Sequence, residues 1–251
     1  MHILEVAGLV KTYGTLRAVS DLSFTIAPGE IVGLVGPNGA GKTSTLRCLA
    51  GVVPPASGTV RIGGFDVATS PVQAKQLIAF LPDEPRLFEY LTVREHMNLT
   101  ARLYGVHDWE ARTGQLLREL EIDTKDTSLP SELSRGMKQK LTIACAFLHD
   151  PKLILLDEPL TGLDPLSIRN MKRSLRVRAE QGASVLLSSH LLPLVEELCH
   201  RILVMSRGRC VALGTLEQIR AQLGTASTDA ARTLEEVFVR ITSADEGRPA
   251  P

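Results

Sequence analysis

Residues 36–44 read GPNGAGKTS, and this stretch decides how the chain folds. It fits the pattern G-x-x-x-x-G-K-[ST] of a phosphate-binding loop. The apolar run IVGLV at 31–35 precedes it and predicts a buried strand, and TLRCL at 45–49 follows with helical spacing. Glycines let successive backbone N–H groups point at phosphate oxygens, and a helix that begins near Lys42 adds its positive dipole end. We therefore predict that the chain binds a nucleoside triphosphate.

Two side chains of the loop have specific expected contacts. Lys42 should reach the β- and γ-phosphates, and the Thr43 hydroxyl should ligate Mg²⁺. A glycine-rich turn with an incidental lysine would give the same letters, but the strand–loop–helix context argues against it. The predicted nucleotide-binding residues of the loop are Gly36, Pro37, Asn38, Gly39, Ala40, Gly41, Lys42, Thr43 and Ser44.

The composition limits the possible partners and location of the chain. It has 251 residues, and its 28 basic and 28 acidic residues balance, so no overall field favours nucleic acid or an anionic membrane. No apolar run approaches the length that crosses a bilayer, and the first residues show no secretory signal pattern. The four cysteines are far apart, and Cys48 and Cys145 fit reduced core positions. These features predict a cytoplasmic protein.

Strand and helix patterns along the chain predict a divided nucleotide-binding lobe. Strand patterns occur at 3–10, 20–26, 31–35, 57–67, 77–82, 152–159, 183–190 and 201–213. Residues 93–149 have helical spacing instead, and the helical patterns at 165–181 and 191–199 alternate with strands, which predicts a parallel sheet. We expect a core of residues 1–82 and 150–215 and a helical insertion over about 84–149. An extension follows at 216–251, with one amphipathic piece at 233–242 and a frayed tail.

Acidic residues and a histidine end two neighbouring strands. Asp157 and Glu158 follow the apolar run LILL, and ligands of open α/β sheets bind beyond that end of the strands. Asp157 can complete the Mg²⁺ shell, and Glu158 can polarise the attacking water. His190 ends the next strand, where it could sense the γ-phosphate. Taken singly, each could be an ordinary strand-end side chain.

Tyr13 precedes Gly14 in a predicted turn and is a candidate platform for adenine. An exposed aromatic residue without a function would look the same. Stacking on an aromatic ring barely distinguishes bases, so we expect only a weak preference for ATP over GTP.

Five segments together resemble the nucleotide-binding subunit of an ATP-binding cassette (ABC) transporter. They are GPNGAGKTS, LSRGMKQK at 133–140, LILLDEP, LTGLDP at 160–165 and His190, and the resemblance extends from residue 3 to about 215. It implies an α/β fold over residues 1–240: a RecA-like P-loop NTPase core, an antiparallel β subdomain and an inserted α-helical subdomain. The implied cofactors are ATP and Mg²⁺.

The resemblance also implies two kinds of protein partner. Two ATP-binding subunits pair head to tail, so that Ser134 and Gly136 of one chain contact ATP held by the other, with Asp164 at the seam. The second subunit could be an identical chain or a paralogue. A separate membrane permease would hold the pair at the cytoplasmic face of the membrane. Ser134 could instead be a plain N-cap serine, but the neighbouring Arg135 favours an anion there.

Two departures from the family pattern modify these expectations. Asp83 stands where the family usually has glutamine; it could still ligate the metal, but its charge should alter the pH and Mg²⁺ response. The signature segment has Arg135 and Met137 where glycine and glutamine are commoner. This variant, S-x-G-M-K-Q-K, and LPDEP resemble those of ABC-2 type exporters, which favours export over import. Phe88, Glu89 and Tyr90 could form the docking surface for the permease, or could pack the two lobes together.

The expected activity is ATP hydrolysis coupled to transport. Its catalytic residues would be Glu158, His190, Lys42 and Asp83, and its metal ligands Thr43, Asp157 and Asp83. A soluble ABC ATPase of nucleic-acid repair or translation is the main alternative, although a second cassette, a long coiled coil and a basic face are missing. A GTPase or kinase would leave LSRGM unexplained, and the intact acidic pair argues against a non-catalytic regulatory subunit.

Overall fold

The computed structural model describes residues 2–160 and 164–222, which form ten β-strands and eight α-helices. The strands are β1 Leu4–Tyr13, β2 Leu16–Ile26, β3 Ile31–Val35, β4 Ser57–Ile62, β5 Phe65–Asp66, β6 Ile78–Leu81, β7 Leu153–Asp157, β8 Ser184–Ser188, β9 Arg201–Ser206 and β10 Arg209–Gly214. The helices are α1 Lys42–Leu49, α2 Pro71–Gln76, α3 Val93–Tyr104, α4 Trp109–Glu119, α5 Arg135–Phe147, α6 Pro165–Glu180, α7 Leu192–Leu198 and α8 Leu216–Gln222.

The larger sheet is parallel except at one edge, which confirms the predicted α/β class. Its strand order is β10-β9-β3-β8-β7-β6, and only β10 pairs antiparallel with its neighbour. Every residue of β3, β7 and β8 is buried, as expected for strands with layers on both faces. The carboxyl ends of β3, β6, β7 and β8 therefore meet at one edge, where the predicted site residues follow them.

The smaller sheet is antiparallel, in the order β2-β1-β4-β5, and covers one face of the larger sheet. Side chains from both sheets and from α1 share one buried cluster, which includes Leu4, Leu22, Leu34, Leu46, Ile62 and Leu155. The other face is covered by α3 to α6, whose buried members include Met97, Leu117, Leu141 and Leu175 against Ile154 and Leu187. The antiparallel sheet and the helical insertion thus lie on opposite faces of the core.

Three local details differ from the sequence prediction. β1 and β2 form one long hairpin that turns at residues 14–15, so Tyr13 ends a strand instead of lying in the turn. Residues 201–213 contain two strands, because Arg207 and Gly208 both have positive φ and reverse the chain. The predicted extension begins with α8, and its fully buried Ile219 packs in a cluster with residues of α7 and β9. The amphipathic piece at 233–242 and the tail lie outside the described residues.

Candidate nucleotide-binding site

A cavity of about 930 Å³ lies at the carboxyl edge of the parallel sheet. The structure brings together there residues 38–44 of the phosphate loop, Tyr13, Asp83, Asp157 and Glu158, all of which line the cavity. They come from β1, the loop after β3, the loop after β6 and the end of β7. Most of the predicted site therefore converges on one concave surface large enough for a nucleotide.

The phosphate loop needs its glycines for two separate reasons. Gly39 and Gly41 have φ of 80° and 101°, which L side chains rarely adopt. A Cβ on Gly41 would also lie 2.3 Å from the Ala18 carbonyl oxygen, and one on Gly36 would lie 2.5 Å from that of Met205. The phosphate loop therefore packs directly against the backbone at Ala18 and at Met205. This packing holds its N–H groups at the start of α1, where the helix dipole favours an anion.

Lys42 is a buried cation beside two carboxylates. Its Nζ donates hydrogen bonds to the carbonyl oxygens of Gly36, at 2.7 Å, and Pro37, at 3.3 Å. Burial lowers the pKa of Lys42, and the charges of Glu158 and Asp157 oppose that shift. Because desolvation costs the ammonium free energy, a polyphosphate bound in the cavity would stabilise its charged form.

Asp157 and Thr43 offer a fitting pair of ligands for Mg²⁺. The Thr43 hydroxyl donates to Asp157 Oδ1 at 3.3 Å, and Ser188 donates to the same oxygen at 2.8 Å. Mg²⁺ is usually held by one or two protein oxygens together with substrate phosphates and water. The described residues contain no cluster of three or more His, Cys, Asp or Glu side chains suited to a metal. The Thr43 hydroxyl and the Asp157 carboxylate thus suit a Mg²⁺ ion that is also coordinated by the phosphates of a bound nucleotide.

Glu158 is held in an unusual backbone conformation. Its φ is 49°, and its N–H donates to both the hydroxyl and the carbonyl oxygen of Ser188, at 3.0 and 3.2 Å. A non-glycine residue in this region costs about 1–2 kcal/mol, so the surrounding structure must impose it. Glu158 Oε2 lies 2.7 Å from His190 Nδ1 and accepts the His190 backbone N–H at 3.3 Å. His190, predicted as a phosphate sensor, thus contacts the carboxylate directly.

Sequence reasoning missed two residues that order this acidic pair. Ser188 contacts both Asp157 and the Glu158 backbone, and the only signal for it was the polar run Ser-Ser-His at the end of a buried strand. Gln139 is buried in α5, and its side-chain amide donates to the Pro159 carbonyl oxygen at 3.2 Å. That hydrogen bond links the LSRGM helix to the segment just after Glu158.

Tyr13 and Asp83 both line the cavity and come from different elements. The Tyr13 ring is partly exposed, and Lys11 Nζ lies 4.9 Å from the ring centre. This cation occupies one face of the ring. Asp83 is exposed on the loop that follows β6. Both residues line the cavity, and their contacts with a base and with a metal or water stay predictions.

Ser134, Gly136 and Asp164 do not line this cavity. Ser134 is the N-cap of α5, and its hydroxyl accepts the Met137 N–H at 3.2 Å while remaining exposed. Asp164 caps α6: hydrogen bonds from the Ser167 hydroxyl and backbone lower its pKa, and it also accepts the Leu166 N–H. Within one chain, the LSRGM segment therefore makes no contact with the phosphate loop's cavity.

Comparisons with known proteins agree with this arrangement. The family model described as ABC transporter matches residues 19–161. The chain is 37% identical over 249 residues to the ABC-type transporter ATP-binding protein EcsA of Bacillus subtilis (strain 168), and the match covers 98% of this chain and 99% of that protein. It is 38% identical to Nod factor export ATP-binding protein I of Paraburkholderia xenovorans (strain LB400), covering 84% and 70%.

A solved structure titled as the ATP-binding subunit of an ABC transporter superposes with a TM-score of 0.90 at 37% identity, and the match covers 95% of this chain and 99% of that chain. Helices long and apolar enough to span a bilayer are absent from the described residues. These likenesses confirm the family and oppose the alternative of nucleic-acid repair. The chain therefore belongs to the ABC transporter family, as one of its ATP-binding and ATP-hydrolysing subunits.

Proposed function

We propose that this chain powers a separate membrane permease that exports its substrate. The observation that carries the proposal is the single cavity in which the phosphate loop, Asp157 and Glu158 converge. Relatives named for export, such as Nod factor export ATP-binding protein I and SkfA peptide export ATP-binding protein SkfE of Bacillus subtilis (strain 168), support the direction of transport. The SkfE match is 39% identical over 83% of this chain.

In this proposal the loop and Lys42 bind the triphosphate. The N–H groups of residues 38–44 and the start of α1 would cradle the phosphates, and Lys42 would exchange its carbonyl partners for phosphate oxygens. Thr43 and Asp157 would hold Mg²⁺, which when bound neutralises phosphate charge. Asp83, which lines the same cavity, could add a third oxygen.

Glu158 would act as the general base. Its carboxylate takes a proton from water as the water oxygen attacks the γ-phosphorus; the bond to the bridging oxygen breaks, and ADP and phosphate leave. The contact with His190 would hold Glu158 Oε2 in place, because Nδ1 and the backbone N–H meet the same oxygen. His190 is thus proposed as a positioning residue, with a side chain 61% exposed.

Tyr13 would stack on the base, and Ser134 with Gly136 would complete the site of a second chain. Because Lys11 Nζ lies over one face of the Tyr13 ring, a stacked base would use the other face. Ser134 and Gly136 lie at the exposed N-terminus of α5, outside their own chain's cavity. A second chain, identical or a paralogue, could bring this terminus to the γ-phosphate, with Asp164 at the seam.

Phe88 and Tyr90 would dock the permease. Their side chains are 62% and 89% exposed, so they do not serve mainly to pack the two lobes together. The loop backbone is anchored nonetheless, because the Phe88 N–H donates to Nε2 of the buried His96 at 3.0 Å. His96 Nδ1 lies 2.8 Å from the Thr92 carbonyl oxygen, which assigns the proton to that nitrogen. An anchored loop that presents aromatic side chains is suited to protein contact.

Replacing both aromatics by serine should therefore abolish permease binding. We expect Phe88→Ser/Tyr90→Ser to lose co-purification with the permease of this chain, while Mg-ATP binding is unchanged. The matched control is Val52→Ser/Val72→Ser, which removes two side chains that are 58% and 65% exposed elsewhere. Equal recovery of the membrane protein with both double variants would contradict the docking surface.

Replacing Asp83 by glutamine tests its proposed role at the metal. Glutamine keeps the shape of the side chain's end but removes its charge, so it attracts Mg²⁺ less strongly. We expect the Mg²⁺ concentration for half-maximal hydrolysis to rise severalfold. Glu84→Gln, the same change at the exposed neighbour outside the cavity, should leave it unchanged. An unchanged Mg²⁺ requirement in Asp83→Gln would contradict this role.

A further inference from the structure

A second cavity, of about 620 Å³, lies between the helical insertion and the core. Its walls are one face of α4 and one face of α6, and we call it the α4–α6 groove. Asp150 and Gln181 line it close to the starts of β7 and β8. The α4–α6 groove therefore lies toward the amino ends of the parallel strands, whereas the nucleotide cavity lies beyond their carboxyl ends.

The α4–α6 groove is strongly basic within a chain whose charges balance overall. Four arginines and two carboxylates line it: Arg112, Arg118, Arg173, Arg178, Glu119 and Asp150. Both carboxylates are already paired, Asp150 with Arg112 at 2.5 Å and Glu119 with Arg178 at 3.0 Å. Two positive charges therefore remain there without a direct ion pair.

The unpaired charges are Arg118 on α4 and Arg173 on α6. Both side chains are exposed, and neither forms a direct ion pair among the residues that the structure describes. One belongs to the helical insertion and the other to the core, so they face the groove from opposite walls. An anion between them would bridge the two parts of the subunit.

Glu119, a partly exposed residue of α4, contacts the opposite wall of the α4–α6 groove. Burial opposes its ionisation, but hydrogen bonds from Arg178 and Ser174 and the charges of Arg178 and Arg173 outweigh burial and lower the pKa of Glu119. The Arg178 guanidinium also lies 4.0 Å from the centre of the Phe147 ring. Arg178 is thus held by Glu119 and the Phe147 ring, whereas Arg118 and Arg173 form no direct ion pair with a described residue.

We propose that the α4–α6 groove is a second anion site, which binds a phosphate-bearing ligand independently of the nucleotide cavity. Guanidinium groups bind phosphate oxygens through paired hydrogen bonds, so two of them on facing walls suit a ligand with more than one phosphate oxygen to share. A cavity of this volume accepts a small phosphorylated molecule or a phospholipid headgroup. Because the ligand bridges α4 and α6, its binding restrains the helical insertion relative to the core.

The test uses full-length protein saturated with Mg-ADP, so that the phosphate loop is occupied. Inorganic tripolyphosphate is titrated calorimetrically at about 0.15 M salt, where surface charges are screened over about 8 Å, with Mg²⁺ in excess. We expect one additional site, and Arg118→Gln/Arg173→Gln should weaken it by at least about tenfold. The control Arg61→Gln/Arg102→Gln removes the same charge outside the groove and should bind as the parent does.

A second arm identifies the source of the phosphate. The parent, Arg118→Gln/Arg173→Gln and the control Arg61→Gln/Arg102→Gln are each sedimented with vesicles of phosphatidylglycerol or of phosphatidylcholine. If phosphatidylglycerol vesicles capture the protein and only Arg118→Gln/Arg173→Gln loses this capture, the ligand is a lipid headgroup. If calorimetry shows the site but the vesicles do not capture the protein, the ligand is a soluble phosphate compound. If neither probe distinguishes Arg118→Gln/Arg173→Gln from the control, the proposal is overturned. Mg-ATP binding, measured in parallel, should be equal in all three proteins, so this failure is separate from that of the proposed function.

Discussion

Replacing Glu158 by glutamine is expected to reduce ATP hydrolysis by at least about a hundredfold, the usual contribution of a general base. Glutamine preserves the shape of the side chain, but its amide cannot accept the proton that water must lose. The Glu158 N–H would keep both of its bonds to Ser188, so the backbone geometry should survive. Binding of Mg-ATP should be intact, because Lys42 and Asp157 are untouched.

Phosphate release and equilibrium nucleotide binding, measured on the same preparation, separate these two effects. Glu180→Gln is the matched control, because Glu180 is exposed at the end of α6 and does not line the cavity. Turnover within a few-fold of the parent in Glu158→Gln would rule out this residue as the base.

Replacing Ser134 by aspartate is expected to have an effect of similar size for a different reason. Aspartate is as good an N-cap as serine, so α5 should remain capped and the subunit folded. Its charge, however, would face the γ-phosphate of the opposing chain. Two like charges 4 Å apart repel by about 4 kcal/mol at an effective dielectric of 20, which corresponds to a loss of more than a hundredfold in hydrolysis.

The matched control for Ser134→Asp is Thr215→Asp. The Thr215 hydroxyl accepts the Gln218 N–H at 3.2 Å at the start of α8, and its capping partner Gln218 is neutral, so aspartate should be tolerated there as at Ser134. Thr215 does not line the nucleotide cavity, and Thr215→Asp should hydrolyse ATP normally. Equal activity of the two variants, measured as phosphate release with each stably folded, would show that Ser134 only caps its helix.

The sequence was most informative where structure and chemistry depend on neighbouring residues. β3, the phosphate loop and α1 are contiguous, and each carries its own local signal, so the loop at 36–44 could be predicted as a unit. Asp157 and Glu158 were found for a related reason: the end of an apolar strand is visible in the sequence, and parallel strands place their carboxyl ends together.

Contacts between distant residues were not predictable in the same way. Ser188 reaches Asp157 only because β7 and β8 align with these two residues as partners, and sequence patterns do not fix that register. The contact of His190 with Glu158 depends on the same alignment. The short helix α8 gave little periodic signal, and its position depends on burial of Ile219 against distant elements.

The α4–α6 groove shows the same limit for charged residues. In the sequence alone, Lys172 and Arg173, with Glu180 nearby, have the pattern of an ordinary solvated helix face. Glu119 and Arg178 are far apart in the chain, and only the packing of α4 near α6 brings them together. A cluster of this kind becomes visible only when the tertiary structure is known.

The central claim is that each ATP is held between two chains, with Ser134 of one chain completing the cavity of the other. The most direct test is the molar mass of Glu158→Gln by light scattering, with and without excess Mg-ATP, alone and with its membrane partner. We predict one chain without nucleotide and a pair with it, and a single chain in both conditions once Ser134→Asp is added. A Glu158→Gln protein that binds Mg-ATP yet never pairs, even beside its membrane partner, would contradict the account.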